Sequence, residues 1–91
     1  MNRDPLPVFA ANVRARRNAL GLTQEIVADR AQMEASYWSR VERGAIEPGV
    51  RMVTRIAHAL ETTPARLLAG VEQPIDGPAP DRPSVNDRAV P

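Results

Sequence analysis

The chain has 91 residues, enough for one small domain, and its formal net charge is only +1. It contains no cysteine and a single histidine, His58, which excludes disulfides and thiolate metal sites and leaves imidazole chemistry without a partner. The apolar runs are too short to cross a bilayer and Met1–Pro7 has no signal-peptide pattern, so we expect a cytoplasmic protein without a membrane segment.

The first 70 residues are predicted to form five short helices with short connections, because no strand-like alternation is visible. The first helix is expected from about Pro7 to Leu20, with Gly21 as its C-terminal stop. Thr23 is a suitable N-cap for a second helix, which should end near Ala31.

The remaining helices follow at similar intervals. The third is expected from about Glu34 to Gly44, and Pro48-Gly49 precedes the fourth. Thr63-Pro64 forms a cap followed by a first helical position, which predicts a fifth short helix ended by Gly70. The apolar residues of the last two helices are Val53, Ile56, Ala57, Leu60, Leu67 and Leu68.

The C-terminal segment, residues 71–91, differs in composition from the rest. It holds five of the nine prolines and two arginines against four acidic residues, whereas residues 1–70 carry ten arginines against seven acidic residues. So few large apolar side chains cannot offset the entropy of ordering the segment. We therefore predict a domain at residues 1–70 and a Pro-rich disordered tail at residues 71–91.

The third helix is predicted to have two unlike faces. At 100° per residue, Trp38 and Val41 share one side and Tyr37 lies on its flank, so Trp38 is expected in the core. The opposite side offers two hydroxyls and two guanidiniums and no apolar group for a partner to bury. Its residues are Ser36, Ser39, Arg40 and Arg43.

Glu42 falls on the buried side of the same helix, where an unpaired carboxylate would cost several kcal/mol. It therefore needs a cation. Arg17 continues the inward spacing of the first helix, and Arg16 is nearly as well placed, so periodicity alone leaves both open.

Residues 24–44, QEIVADRAQMEASYWSRVERG, resemble the helix-turn-helix of phage-repressor-like (Cro/cI, XRE-type) DNA-binding domains. The resemblance runs from about Phe9 to Leu68 and includes LTQE at 22–25, SRVERG at 39–44 and IAHAL at 56–60. It implies an all-α, five-helix, lambda-repressor-like fold. It also implies a sequence-specific DNA-binding transcriptional regulator that is not an enzyme, uses no cofactor or metal, and has a double-stranded DNA operator as its partner. The inward arginine of the family maps to Arg17, which selects it over Arg16 as the partner of Glu42.

The resemblance further implies that the third helix enters the major groove of DNA. The expected base contacts are Ala35, Ser36, Ser39 and Arg40. Among them Arg40 is the best donor for guanine O6 and N7. The expected phosphate contacts are Gln24, at the exposed start of the second helix, together with Tyr37, Arg43 and Arg51. For Tyr37, simple packing is an equally good interpretation.

Three residues depart from the family pattern. Gln32 and Glu61 stand where glycine is common, so each is expected in a left-handed turn conformation at a cost of about 1 kcal/mol. Trp38 replaces a smaller aliphatic residue, and we expect Ala28 or Ala31 to leave room for it.

One such module reads few base pairs, so we expect a homodimer that binds half-sites about one helical turn apart. Its contact surface is expected at the fifth helix, with Leu67, Leu68 and Val71, or at the end of the fourth. The alternative function is a protein-interaction module, such as an antitoxin or adaptor, in which residues 71–91 bind a protein partner.

Overall fold

The computed structural model describes residues 4–71 and shows five helices within them. The helices are α1 (Pro5–Leu20), α2 (Gln24–Arg30), α3 (Ala35–Glu42), α4 (Val50–Ala59) and α5 (Pro64–Leu67). The predicted all-α, five-helix fold is confirmed over this range. None of these helices is long and apolar enough to span a membrane. The predicted tail, apart from Val71, lies outside the described residues.

Helix α1 begins two residues earlier than predicted. Asp4 Oδ1 accepts a hydrogen bond from the backbone N–H of Leu6 at 3.0 Å, so Asp4 is the N-cap. Pro5 and Pro7 then occupy the first turn, where a missing backbone N–H removes no helical hydrogen bond. The cap therefore includes both prolines in the helix, although the sequence pattern placed its start at the second one.

Two of the other helix starts follow the sequence closely. Thr23 and Thr63 accept hydrogen bonds through Oγ1 from the backbone N–H groups of Ile26 and Arg66, each at 3.2 Å. Both predicted caps are confirmed. Helices α3 and α4, in contrast, begin without any side-chain cap, so the N–H groups of their first turns have no side-chain acceptor.

Two turns adopt the left-handed conformation without glycine, as predicted. Gln32 has φ 59° and Glu61 has φ 55°. An arginine from another helix binds each turn: Arg55 Nε donates to the carbonyl of Ala31 at 3.0 Å, and Arg16 Nη2 donates to the carbonyl of Glu61 at 3.0 Å. These bonds to otherwise unpaired helix-end carbonyls help to hold the two turns in place.

The core lies where α1, α2 and α4 surround the inner face of α3. Trp38 is completely buried, which confirms its predicted position. Ala28 and Ala31 are buried in the same cluster, and their small side chains suit the expected space beside the indole. The other large side chains with almost no exposed surface are Val13, Val27, Val41, Ile56, Leu60 and Leu67.

Leu67 corrects one expectation. It was expected on a dimer surface, but it is only 2% exposed. Helix α5 is a single turn that is tied to α1, because Asn12 Nδ2 donates to the carbonyls of Leu67 and Ala69, both at 2.8 Å. This docking turns Leu67 into the domain core and leaves its neighbour Leu68 44% exposed.

Candidate nucleic-acid interface

The inner face of α3 is fixed by a buried ion pair. The side chain of Glu42 is 3% exposed, and that of Arg17 is 14% exposed. Arg17 donates from Nε to Glu42 Oε2 at 2.6 Å and from Nη2 to Oε1 at 2.9 Å. The structure therefore brings Arg17 and Glu42 together in a two-bond, fork-like contact. Arg16, the other candidate, bonds to the carbonyls at the end of α4 instead.

Glu42 has two further donors that the sequence analysis missed. The indole Nε1 of Trp38 donates to Oε2, and the amide Nε2 of Gln24 donates to Oε1 at 3.0 Å. The sequence did contain a sign of the first contact. Trp38 and Glu42 are four residues apart and so share a helix face, and a buried indole N–H needs an acceptor.

These contacts decide the charge state of Glu42. Burial by itself would raise the pKa of the carboxyl group, but hydrogen bonds from Arg17, Trp38 and Gln24 outweigh burial and lower the pKa below its usual value. The hydrogen bond with Glu42 in turn raises the pKa of Arg17. The pair is therefore fully ionised at neutral pH.

The outer face of α3 is exposed and carries unused hydrogen-bonding groups. Ser36, Arg40 and Arg43 are exposed, and Ser39 is half-buried. None of these four side chains has a hydrogen bond or an ion pair within residues 4–71. The guanidinium of Arg40 lies 6.0 Å from the ring centroid of Tyr37, close enough for a weak cation–π interaction.

Three other predicted contact residues lie around this face. Ala35, at the start of α3, is half-buried and packs against the core cluster. The ring of Tyr37 also packs against the core, and it lines an open surface groove together with Arg51 and the first residues of α4. Arg51 itself is exposed. The structure thus places Tyr37 and Arg51 side by side.

Gln24 is less exposed than expected. It is half-buried at the start of α2, because its amide reaches inward to Glu42. A primary amide has two N–H donors. One of them is used in this contact, and the second remains for an external acceptor.

Comparisons with known proteins agree with this architecture. A helix-turn-helix domain family matches residues 8–69. Among solved structures, the restriction-modification controller protein C.AhdI from Aeromonas hydrophila is 34% identical over 68% of this chain and 94% of its own, with a TM-score of 0.66. The clp gene regulator ClgR from C. glutamicum is 26% identical over 71% of this chain and 83% of its own, with a TM-score of 0.69.

The DNA-binding domain of the P22 C2 repressor is also similar, with 26% identity over 82% of this chain and 96% of its own and a TM-score of 0.68. No curated protein sequence gives a significant match. The family match covers most of the chain, and the solved relatives have the same five-helix arrangement. The chain belongs to the helix-turn-helix domain family, and its structural neighbours are transcriptional regulators of the phage-repressor type.

Proposed function

We propose that this protein is a sequence-specific DNA-binding transcriptional regulator that inserts the outer face of α3 into the major groove. One observation carries the proposal. The inner face of α3 is bonded firmly to the core, whereas the serines and arginines of its outer face have no hydrogen-bonding partner in the described residues. A rigid helix with free polar groups is what base recognition needs.

The proposed base contacts differ in how much sequence they can read. Arg40 can bond both O6 and N7 of a guanine, which is the most specific contact available. Ser36 and Ser39 can donate to or accept from several bases and so discriminate poorly. Ala35 offers only a methyl group, which suits the methyl of a thymine.

The proposed phosphate contacts at the start of α4 have a structural basis. Helix α4 begins at Gly49 without a side-chain cap, so its first N–H groups have no side-chain acceptor and favour an anion. Arg51 lies in the same turn, and Tyr37 lines the adjoining groove. The phenol oxygen of Tyr37 has no hydrogen-bond partner in residues 4–71, so it is available to a phosphate.

The second set of proposed phosphate contacts lies at the other end of α3. Gln24 keeps one amide N–H free at the start of α2, and Arg43 is exposed at the C-terminal end of α3. Both residues adjoin the same carboxylate, Glu42, through a hydrogen bond in one case and the chain in the other. Contacts of this kind position the protein but carry no base preference.

The fine points of this function are part of the same proposal. The protein acts in the cytoplasm without catalysing a reaction, and it binds its operator as a homodimer. After the correction at Leu67, Leu68 and Val71 remain as the apolar residues available to a dimer contact. Light scattering at micromolar concentration, with and without operator DNA, should give the mass of two chains. A monomeric mass in both samples would contradict the dimer.

The main experiment is selection of bound sites from random duplex DNA at a stated salt concentration. We expect enrichment of a short motif that contains a guanine, repeated as a palindrome with half-site centres about one helical turn apart. Failure to enrich any motif, at low as well as at moderate salt, would contradict sequence-specific binding.

A further inference from the structure

A surface groove between α1 and α3 lies beside the proposed interface and has no role in it so far. Its volume is about 380 Å³. Arg14 and Asn18 line it from α1, and Glu42 and Arg43 line it from the end of α3. Small alanine side chains form much of the α1 wall, so the polar groups dominate its chemistry.

The two arginines of this groove differ from most other arginines in the domain. Four guanidiniums donate to carbonyl or carboxylate oxygens of the protein and so serve the fold: Arg16, Arg17, Arg30 and Arg55. The guanidiniums of Arg14 and Arg43 have no hydrogen bond or ion pair within residues 4–71, although each carries five N–H donors.

Glu42 is the only carboxylate that lines the groove, and it does not neutralise them. Both of its oxygens already accept hydrogen bonds, from Arg17, Trp38 and Gln24. Because the Arg17 guanidinium balances the charge of Glu42, the charges of Arg14 and Arg43 remain uncompensated across the groove. Two facing cations with free donors favour an anion between them.

We infer that Arg14 and Arg43 together hold one backbone phosphate of the bound DNA, so that α1 is part of the DNA contact. The inference rests on the proposed function. Its position is consistent with that function, since Glu42 both lines the groove and bonds to Gln24, which is itself a proposed phosphate contact. The amide of Asn18 provides a further neutral donor at the same place.

The test compares Arg14→Ala with Arg66→Ala by measuring binding to a selected site and to unrelated duplex DNA over a range of salt concentrations. Arg66 is a matched control, because it is also an exposed arginine without a side-chain partner but lies on α5, which packs against α1 and α4. Alanine favours helix at both positions, and circular dichroism checks that both variants fold.

We expect Arg14→Ala to reduce the slope of log K against log salt by about 0.9, the value for one lost phosphate contact. Binding should weaken by the same factor for the selected site and for unrelated DNA. Arg66→Ala should retain the wild-type slope. A normal slope for Arg14→Ala in a protein whose wild type binds its site would overturn the inference and leave the proposed function intact.

Two further outcomes separate the possible failures. If the wild type binds DNA without preference and Arg14→Ala still reduces its slope, the groove holds a phosphate although the proposed function is wrong. If inorganic phosphate at constant ionic strength stabilises the wild type but not Arg14→Ala, and the DNA slopes are equal, the groove binds a free anion and the inference is overturned.

Discussion

The two faces of α3 contain similar chemical groups in opposite states. On the inner face, the carboxylate of Glu42 and the indole N–H of Trp38 bond to each other, and Arg17 and Gln24 complete the set. On the outer face, the guanidinium of Arg40 and the nearby serine hydroxyls have no hydrogen-bonding partner in the described part of the chain. Polar groups satisfied inside the fold hold the helix, and those left free outside can bind a ligand.

This difference has an energetic reason. A buried polar group without a partner costs about 1–3 kcal/mol, and more if it is charged, so the inner face must be complete for the domain to fold. Exposed groups exchange water for a ligand at much smaller cost. Substitutions on the inner face should therefore change stability, and substitutions on the outer face should change binding.

The largest effect is expected for Glu42→Ala. It removes the acceptor of three donors and leaves the mostly buried charge of Arg17 unpaired, so the free energy of unfolding should fall by about 3–5 kcal/mol. Urea denaturation measures this loss. The control Glu47→Ala, at an exposed glutamate before α4, should stay within about 0.5 kcal/mol of the wild type. Equal small effects at both positions would show that the ion pair does not hold α3.

Acidification should reproduce part of this loss. The folded state lowers the pKa of Glu42 below its ordinary value of 4.5, so the resulting stability is present above that pH and disappears as the pH falls through the folded pKa. The effect is smaller than deletion because a protonated carboxyl group still accepts hydrogen bonds. Denaturation curves of the wild type and Glu42→Gln between pH 7 and 3 provide the measurement. The wild type should lose more stability than the variant over this range, and parallel curves would refute the prediction.

On the outer face, Arg40→Ala should weaken binding to the selected site by about 1–3 kcal/mol and relax the preference at one base position. Because Arg40 is exposed and has no hydrogen bond within residues 4–71, the free energy of unfolding should stay nearly constant. Titration of single-base variants of the site measures the preference. Arg43→Ala is the matched control and should weaken all sequences alike. A loss of stability in Arg40→Ala, with the base preference unchanged, would reverse the assignment of the two faces.

The smallest effect is expected at the boundary between the faces. Tyr37→Phe keeps the ring that packs against the core and removes a hydroxyl without a partner in the described residues, so stability should change by less than about 0.5 kcal/mol. Loss of a phosphate contact should weaken DNA binding by about 0.5–1.5 kcal/mol, equally for all sequences. Unchanged binding would leave Tyr37 with packing alone.

Local rules predicted much of the fold. Helical periodicity placed Trp38 in the core and required a cation for Glu42, and side-chain capping located the starts of α2 and α5 at Thr23 and Thr63. These predictions succeed because capping and facial direction depend on a few neighbouring residues. The family resemblance was needed to choose Arg17, since periodicity gives an angle and not the reach of a side chain.

Contacts between distant segments could not be predicted in this way. The sequence gave no reason for Asn12 to bond the end of α5, and this docking is what buries Leu67. The pairing of Arg14 with Arg43 across a groove likewise depends on how α1 packs against α3. Such features follow from the tertiary arrangement of helices, which no single segment encodes.

The most direct test of α3 in the major groove is methylation interference at guanine N7, followed by comparison of the wild type with Arg40→Ala. Methylation of the guanine that Arg40 reads should block binding of the wild type, because the added methyl group occupies the acceptor that the guanidinium needs. Arg40→Ala should bind methylated and unmethylated sites with similar, weaker affinity. Equal sensitivity of the two proteins to the methyl group, or binding of the wild type that is indifferent to it at every guanine, would contradict the account.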